Sequence, residues 1–206
     1  MKTAQQALGD DLFAALGDED HETDDRLRAR LAASADRAGI LDVAYRSLDT
    51  PLGSLLLAAT EAGLVRVAFS CQGHDRILAD LAGKVSPRVL HAPARLDGAA
   101  FQVDDYFSGR RRQFHLPLDR RLSTGFRLAV LLHLSGIAYG STSTYADVAA
   151  AAGSPKAVRA VGTACATNPL PVVVPCHRVV RSDGTAGGYA GGAEAKAALL
   201  RLEGAA

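Results

Sequence analysis

Three short apolar runs separated by turn-forming residues are the feature that most narrows the choice of fold. The runs LDVAYRSL, GSLLLAAT and GLVRVAFS alternate with DTPLG and EAG between Leu41 and Ser70. Short apolar and β-branched runs bounded by such turns predict a small antiparallel sheet. HDRILADLAG and LDGAAFQVDDYFSG follow, and they predict helices that are closed by glycine. Residues 41–118 are therefore predicted to form an α+β subdomain.

The C-terminal part of the chain predicts helices. GFRLAVLLHLSGI predicts an apolar helix. STYADVAAAAG predicts a second helix, with Ser143 or Thr144 as N-cap and Gly153 as its stop. SPKAVRAVGTACAT predicts a third, with Ser154 as N-cap and Pro155 at the first helical position. The predicted fold class is α+β, in which a small N-terminal sheet subdomain precedes a mostly helical C-terminal domain.

The second and third of these helices form a candidate helix-turn-helix. Two short helices joined by a tight turn that contains glycine match this DNA-binding motif. Small residues cover the third helix and leave Lys156 and Arg159 as its prominent charged side chains. Residues 119–206 carry 9 basic and 5 acidic side chains, a balance that suits an anionic partner. Structural helix pairs share this pattern, so both interpretations stay open.

Residues 1–40 are predicted to be an acidic extension that is partly disordered. Residues 1–50 carry 6 basic and 11 acidic side chains. The segment DDRLRARLAASADRA predicts one helix, because Leu27, Leu31 and Ala35 recur every four residues and would share a face.

The chain shows no leader or membrane signature. Its first residues, MKTAQQALGDDLFAALGDED, are acidic and lack the basic-then-apolar order of a signal peptide. No apolar run reaches the roughly 18 to 20 residues that a membrane span needs. Three cysteines without CxxC spacing argue against a disulfide framework and against a zinc ribbon. We therefore expect a cytoplasmic protein with reduced thiols.

A cysteine and a histidine stand side by side in the apolar run VVVPCHRVV. A thiolate is a nucleophile, and a nearby imidazole can take the thiol proton. Neighbouring residues of an extended chain point to opposite faces, so coupling Cys176 to His177 requires a water molecule or a bend after Pro175. A carboxylate would have to orient the imidazole. The downstream candidates are Asp183, Glu194 and Glu203. A buried structural cysteine is the alternative interpretation.

The order of several further motifs points to a family. STYADVAA, PKAVRAVG, NP, PCHRV, GGYAGG and KAALLRLEG follow one another at close spacing. This series resembles the O6-alkylguanine-DNA alkyltransferases, also called methylated-DNA–protein-cysteine methyltransferases, whose active-site signature is PCHRV. The resemblance is strong over residues 124–206. It is looser over residues 41–118, where it implies an RNase H-like sheet, and residues 1–40 lie outside it.

The resemblance implies repair of DNA by direct reversal. In this family an O6-alkylguanine is flipped out of duplex DNA, and its alkyl group passes irreversibly to a cysteine in one turnover and without a cofactor. Cys176 matches that cysteine, and His177 matches the histidine that takes its proton through water. Glu203 matches the glutamate that orients the histidine, and Asn168 matches the asparagine that braces the active-site turn.

Other matches concern the DNA and the flipped base. Arg159 matches the arginine that fills the space left by the base, and Lys156 is the other charged side chain of its helix. Tyr145 matches the tyrosine that crowds the phosphate and hydrogen-bonds the guanine ring. Tyr189 matches the tyrosine that packs on the base. The remaining pocket positions are the backbone N–H of Ala190, the carbonyls of Cys176 and Val179, and the lining residue Cys165.

The resemblance also sets the expected partner. That partner is duplex DNA carrying O6-alkylguanine, with O4-alkylthymine as a second candidate base, and we expect a monomer that binds neither a metal nor a membrane. The family's usual Val-Trp in the first C-terminal helix is Val130-Leu131 here, and its usual Ile-Pro is Ile137-Ala138. Two other functions stay open: a DNA-binding regulator or lesion-flagging protein that transfers nothing, and a thiol hydrolase of unrelated fold.

Overall fold

The computed structural model describes residue 23 and residues 26–205, and it has the predicted α+β class. The predicted disorder of residues 1–40 falls mostly on residues outside this range. Residues 26–37 form helix α1, which confirms the helix predicted from DDRLRARLAASADRA over its described part. In the part of the chain that the structure describes, no helix is long and apolar enough to cross a membrane.

The N-terminal half is built on the predicted antiparallel sheet. Its strands are β1 (Val43–Thr50), β2 (Gly53–Thr60), β3 (Gly63–Phe69) and the short β4 (Val89–His91). The first three form an antiparallel meander, and β4 pairs parallel to β1. Their order across the sheet is β3-β2-β1-β4, so β3 is an edge strand.

Both faces of this sheet are buried. Because successive side chains of a strand point to opposite faces, Leu56 and its neighbour Leu57 belong to two different apolar clusters. Helix α2 (His74–Lys84) completes the cluster around Leu56. Helix α3 (Asp97–Phe107) joins the cluster around Leu57, which continues into the C-terminal half.

The C-terminal half is mostly helical. Its helices are α4 (Gly125–Leu134), α5 (Tyr145–Ala151), α6 (Val158–Ala166) and α7 (Gly192–Leu202). The short strands β5 (Ser143–Thr144) and β6 (Val179–Val180) pair in parallel. Helices α5 and α6 pack against each other and against α4, which is the arrangement that a helix-turn-helix requires.

Several helix ends agree with the sequence prediction. Thr144 caps α5, because its hydroxyl accepts the backbone N–H of Asp147 at 3.1 Å while the Asp147 carboxylate accepts the N–H of Thr144. Gly109 and Gly153 have φ of +75° and +78° just after α3 and α5. Both glycines therefore supply the left-handed conformation that ends a helix.

Two predicted helix ends are wrong. Helix α2 runs through Gly83, which has no positive φ and so does not act as a stop. The predicted start of α6 at Ser154 is three residues too early. A separate turn comes first, closed by a hydrogen bond of 2.8 Å from the N–H of Ala157 to the carbonyl of Ser154, and the helix begins at Val158. Lys156 therefore lies in this turn and not on the helix.

Strand β3 joins the two halves of the molecule. Its outer edge is paired, because the N–H of Leu64 donates to the Pro117 carbonyl at 2.9 Å and the N–H of Val67 donates to the Pro169 carbonyl at 2.8 Å. Gly63 makes the first approach feasible: it has φ of +131°, and a Cβ there would lie 2.2 Å from the Pro117 oxygen. One buried cluster of the described residues then spans α1 to α7.

Helix α1 packs against the rest of the molecule through its alanines and not through its leucines. Ala32 and Ala35 are each 5% exposed, whereas Leu27 and Leu31 are 55% and 57% exposed. Of the three residues that recur every four positions, only Ala35 is therefore buried. Because alanine side chains are small, the helix lies close to the core on this side, and an ion pair of 3.3 Å between Asp36 and Arg95 adds to the contact.

We expect Ala35→Glu to destabilise the protein by about 2–4 kcal/mol, because a charged group would replace a buried methyl group. Leu31→Glu is the matched control on the exposed side, and its effect should stay within about 0.5 kcal/mol. Urea unfolding followed by circular dichroism measures both values. Equal losses in the two variants would show that α1 does not pack through Ala35.

Candidate active site

The apolar run before Cys176 folds into a buried turn. Every residue from 168 to 180 is buried. Val172 has φ of +72°, a conformation that β-branched residues rarely adopt. The N–H of Val174 donates to the carbonyl of Leu170 at 2.8 Å and closes the turn around this residue. Strain of about 1–3 kcal/mol at such a position persists only where the surroundings hold the backbone.

Asn168 holds this turn together from inside. Its Oδ1 accepts the N–H of Leu170 at 2.9 Å, and its Nδ2 donates to the carbonyl of Val174 at 2.9 Å. The same Nδ2 lies 3.1 Å from Sγ of Cys176. The amide therefore ties the turn to the sulfur atom and satisfies backbone groups that burial would otherwise leave unpaired.

Cys176, His177 and Arg178 form one turn of 3-10 helix that starts after Pro175. This turn is the bend that the sequence requires if the cysteine and the histidine are to act together. Both side chains are fully buried. The Nε2 atom of His177 lies 3.0 Å from Oε1 of Glu203, whereas its Nδ1 is buried and has no hydrogen-bond partner among the described residues.

The Glu203 carboxylate collects donors from several parts of the chain. Arg178 donates from Nε to Oε2 and from Nη2 to Oε1, each at 2.8 Å. The Tyr106 hydroxyl donates to Oε1 at 2.6 Å, and the N–H of Gly140 reaches Oε2 at 3.4 Å. Burial opposes ionisation, but the hydrogen bonds from His177, Arg178 and Tyr106 outweigh it and lower the pKa of Glu203 to about 2. Glu203 is therefore an ionised acceptor at neutral pH.

Burial keeps both the thiol and the imidazole neutral at rest. It raises the pKa of Cys176 to about 11, although the Asn168 hydrogen bond and the Lys196 charge offset part of the effect. Burial and the neighbouring Cys176 raise the pKa of Cys165, on α6, to about 12. Burial lowers the pKa of His177 in spite of its carboxylate partner. Cys176 is thus a thiol, and the residue that follows it carries a neutral imidazole that can accept a proton.

Lys196 is a buried cation that the sequence prediction missed. Its Nζ donates to the carbonyl of Val179 at 2.5 Å and lies 5.8 Å from the centre of the Tyr145 ring. Its charge lowers the pKa of Cys176, and burial lowers its own pKa. Lys196, on α7, precedes Glu203, the residue that follows the end of this helix, by about two helical turns. That spacing is a sequence signal that could have identified the lysine.

Two tyrosines pack around the buried thiol and imidazole. The ring of Tyr189 is buried and lies 6.2 Å from the His177 ring, nearly perpendicular to it at 85°. Tyr145 is half-buried, and its hydroxyl lies against Gly187, where a Cβ would come within 2.1 Å of the oxygen. The carbonyl of Ala190, which follows Tyr189, lies 3.7 Å from the thiol sulfur of Cys71.

The structure brings most of the predicted site residues together. Asn168 contacts Cys176, and His177, the next residue, contacts Glu203. Cys165 and Tyr145 lie near the Cys176 sulfur, Tyr189 packs against His177, the Val179 carbonyl accepts from Lys196, and Ala190 contacts Cys71. Arg159 and Lys156 are exposed, at the start of α6 and in the turn before it. Besides Lys196, the sequence prediction missed Arg178 and Tyr106, the additional partners of Glu203.

Comparison with known proteins matches both halves to domains of one class of DNA methyltransferase. Residues 43–120 match the family model of the 6-O-methylguanine DNA methyltransferase ribonuclease-like domain, and residues 125–205 match that of its DNA-binding domain. A crystal structure of Mycobacterium tuberculosis O6-methylguanine methyltransferase superposes with a TM-score of 0.70 at 36% identity, covering 79% of this chain and 93% of that one. A structure of the M. tuberculosis OGT in complex with DNA gives 0.68 at 36% identity, covering 78% and 92%.

Curated relatives agree with this class. The constitutive methylated-DNA–protein-cysteine methyltransferase of Bacillus subtilis is 41% identical over 163 residues, which are 77% of this chain and 94% of the relative. The methylated-DNA–protein-cysteine methyltransferase of Methanosarcina barkeri is 38% identical over 77% of this chain and 96% of its own length. The chain belongs to the methylated-DNA–protein-cysteine methyltransferase family.

We expect iodoacetamide at pH 8 to modify Cys71 at least about tenfold faster than Cys176 or Cys165, because Cys71 is exposed and burial holds the other two as thiols. Labelling of Cys176 should increase as the pH rises toward about 11. Timed labelling and peptide mass spectrometry measure the three rates. In denaturant the three cysteines should react at similar rates. Equal rates for Cys71 and Cys176 in the folded protein would contradict a buried, protonated thiol.

Proposed function

We propose that the protein repairs DNA by direct reversal, taking O6-alkylguanine out of the duplex and transferring the alkyl group to Cys176. The observation that supports this proposal is the buried Cys176 thiol, which contacts Asn168 and is followed directly by the buried His177–Glu203 pair, in a chain of this family. A lesion-flagging protein that transfers nothing has no need of these partners. A thiol hydrolase of unrelated fold is excluded by the family to which the chain belongs.

The proposed step is a displacement at the alkyl carbon. The Cys176 sulfur forms a bond to that carbon while the bond from carbon to O6 breaks, and the bonding electron pair leaves on the guanine. The thiol proton passes through a water molecule to Nδ1 of His177, and the Glu203 carboxylate stabilises the resulting imidazolium. The guanine then takes a proton from solvent. The product is a thioether that no step of this mechanism reverses, so each molecule acts once.

The surrounding residues are proposed to form the pocket of the flipped base. Tyr189 packs on the base, and the Tyr145 hydroxyl donates to the guanine ring as charge develops there. The Val179 carbonyl already accepts a hydrogen bond from Lys196, but its second lone pair can accept the guanine amino group. The other groups assigned to this pocket are the N–H of Ala190, the carbonyl of Cys176 and the side chain of Cys165.

The helix pair α5 and α6 is proposed to bind duplex DNA. Arg159 projects from the exposed start of α6 among small residues, so this surface can approach a groove closely. We assign Arg159 to the space that the flipped base leaves, and Lys156 to a phosphate contact. Flipping costs a few kcal/mol, which a side chain that fills the gap offsets.

We propose that the protein acts as a monomer in the cytoplasm and needs no cofactor for transfer. All three cysteines lie in the described part of the chain and are free, as expected for a reducing compartment. O4-alkylthymine is proposed as a second substrate base. We also propose three parts for the chain: an acidic extension (1–40), an N-terminal subdomain (41–118) and a DNA-binding and alkyl-acceptor domain (119–206).

Incubation with a duplex carrying O6-methylguanine should add one methyl group per protein molecule, on Cys176, without turnover. Intact-mass measurement and peptide mapping test this outcome, and Cys176→Ala should bind the same duplex without gaining mass, because DNA contacts lie elsewhere. Repeated turnover, or a methyl group on Cys71 or Cys165, would refute the assignment. Binding without any mass gain would identify a lesion-flagging protein instead.

Arg159→Ala should reduce transfer from duplex DNA by an amount equivalent to about 1–3 kcal/mol, the scale of a lost stacking contact. Transfer from the free alkylated base, which needs no flipping, should change much less. Arg159→Lys should not restore the duplex rate, since the planar guanidinium is the useful group. Single-turnover rates on the two substrates measure the difference.

Lys156→Ala is the matched control for this experiment. A side chain that only contacts phosphate should weaken binding to every duplex alike, and the loss should shrink at high salt. If Arg159→Ala shows this same salt-dependent loss, or equal losses on duplex and free base, Arg159 does not fill the stack.

A further inference from the structure

We propose that Tyr106, which lies outside the C-terminal domain, is a positioning residue for alkyl transfer because its hydroxyl orients the Glu203 carboxylate. This inference rests on the proposed function, since it concerns the same acceptor site. Tyr106 belongs to α3 and precedes Glu203 by 97 residues, yet its hydroxyl donates to Oε1 at 2.6 Å. The pair is buried, with Tyr106 0% exposed and Glu203 5% exposed.

The Tyr106 ring is held in place independently of this hydrogen bond. It packs against Phe107, Phe114 and Tyr139 at centroid distances of 5.4, 5.2 and 6.3 Å. Burial and the neighbouring Glu203 raise the pKa of the Tyr106 hydroxyl above its ordinary value, so the group keeps its proton and remains a donor. The aromatic cluster therefore presents a fixed neutral donor to the carboxylate.

This donor completes the set of contacts that hold Oε1. That oxygen also accepts from Nη2 of Arg178 and lies 3.0 Å from Nε2 of His177. Because Glu203 is ionised, Nε2 of His177 carries the ring proton, and Nδ1 is left with the lone pair that a proton acceptor needs. Without Tyr106 the Glu203 carboxylate could rotate more freely. It would then fix the tautomer of His177 less firmly.

The groups that face Glu203 determine the sign of the pH effect. They are His177 and Arg178 from the 3-10 turn, Tyr106 from α3 and the N–H of Gly140. Arg112 does not contact Glu203; its guanidinium lies over the Tyr139 ring, 5.6 Å from the ring centroid. Removing the Tyr106 donor takes away one contact that lowers the Glu203 pKa, and it leaves a more basic carboxylate beside His177. Glu203 or His177 then binds a proton at higher pH. The acid limb of the pH profile, where the transfer rate falls as the pH is lowered, should therefore move to higher pH.

The test is Tyr106→Phe, which keeps the ring and removes the hydroxyl. We expect single-turnover transfer at pH 7 to fall about tenfold, the size of one hydrogen bond to a charged group, with an acid limb about one pH unit higher. Tyr139→Phe is the matched control. It removes a partly buried hydroxyl that donates to the Leu202 carbonyl and not to the Glu203 carboxylate. Its rate should stay within about twofold of wild type, with an unshifted limb. A Tyr106→Phe profile that superposes on that of wild type would overturn the proposal.

A double-mutant cycle with Glu203→Gln separates positioning from general stability. If Tyr106 acts through Glu203, the double variant should transfer as slowly as Glu203→Gln alone, whereas independent effects would multiply. The same cycle in urea unfolding should show coupling of about tenfold in the unfolding equilibrium constant. If wild-type protein takes up no methyl group, the proposed function fails, and the unfolding cycle still tests the contact. Strictly additive effects in unfolding would overturn the inference.

Discussion

The buried Glu203 carboxylate is the group on which the acceptor site depends. Removing an ionised carboxylate from water costs several kcal/mol, and only well-placed donors can offset this. Here the donors come from the 3-10 turn after Pro175, from α3 and from the loop before α5. None of these segments can move without leaving a buried charge underpaired. The carboxylate therefore fixes the relative positions of segments that are remote in sequence, and His177 takes its orientation from the result.

The same burial shapes the reactivity of the thiol. Cys176 has a raised pKa, so a small electrophile in solution meets a protonated, inaccessible sulfur. Lys196 and Asn168 act in the opposite direction, since both favour the thiolate. In a buried site of low dielectric such contacts are stronger than in water, and they become useful once a substrate fills the pocket and a proton leaves. The reactivity of Cys176 is thus controlled by its environment and not by unusual intrinsic nucleophilicity.

Local patterns in the sequence predicted the parts of the structure that depend on local physics. The meander, the Thr144 cap and the helix pair follow from alternation, capping and turn residues. The family motif assigned Asn168, Cys176, His177 and Glu203 to one site, and in the structure Asn168 contacts Cys176 while His177 contacts Glu203. The contact of Tyr106 with Glu203 could not be predicted from the sequence, because it depends on how α3 packs against the end of α7. The packing face of α1 also depends on tertiary contacts: its larger leucines are exposed, and alanines make the contact.

The N-terminal half has no side chain that matches a reacting group of the family, yet it contacts the acceptor site at three separate places. Val67 pairs with Pro169 in the Asn168 turn, and Tyr106 reaches Glu203. The Phe69 ring lies edge-on to Tyr189 at 5.6 Å and so close to Gly191 that a Cβ there would come within 2.9 Å. The first contact is with the turn beside the thiol, the second is with the Glu203 carboxylate, and the third is with the loop that carries Tyr189 and Gly191. Strand β3 and helix α3 together make these contacts, so they constrain the relative geometry of the site. Without them, the C-terminal half would have to maintain that geometry alone, with an apolar face exposed to solvent.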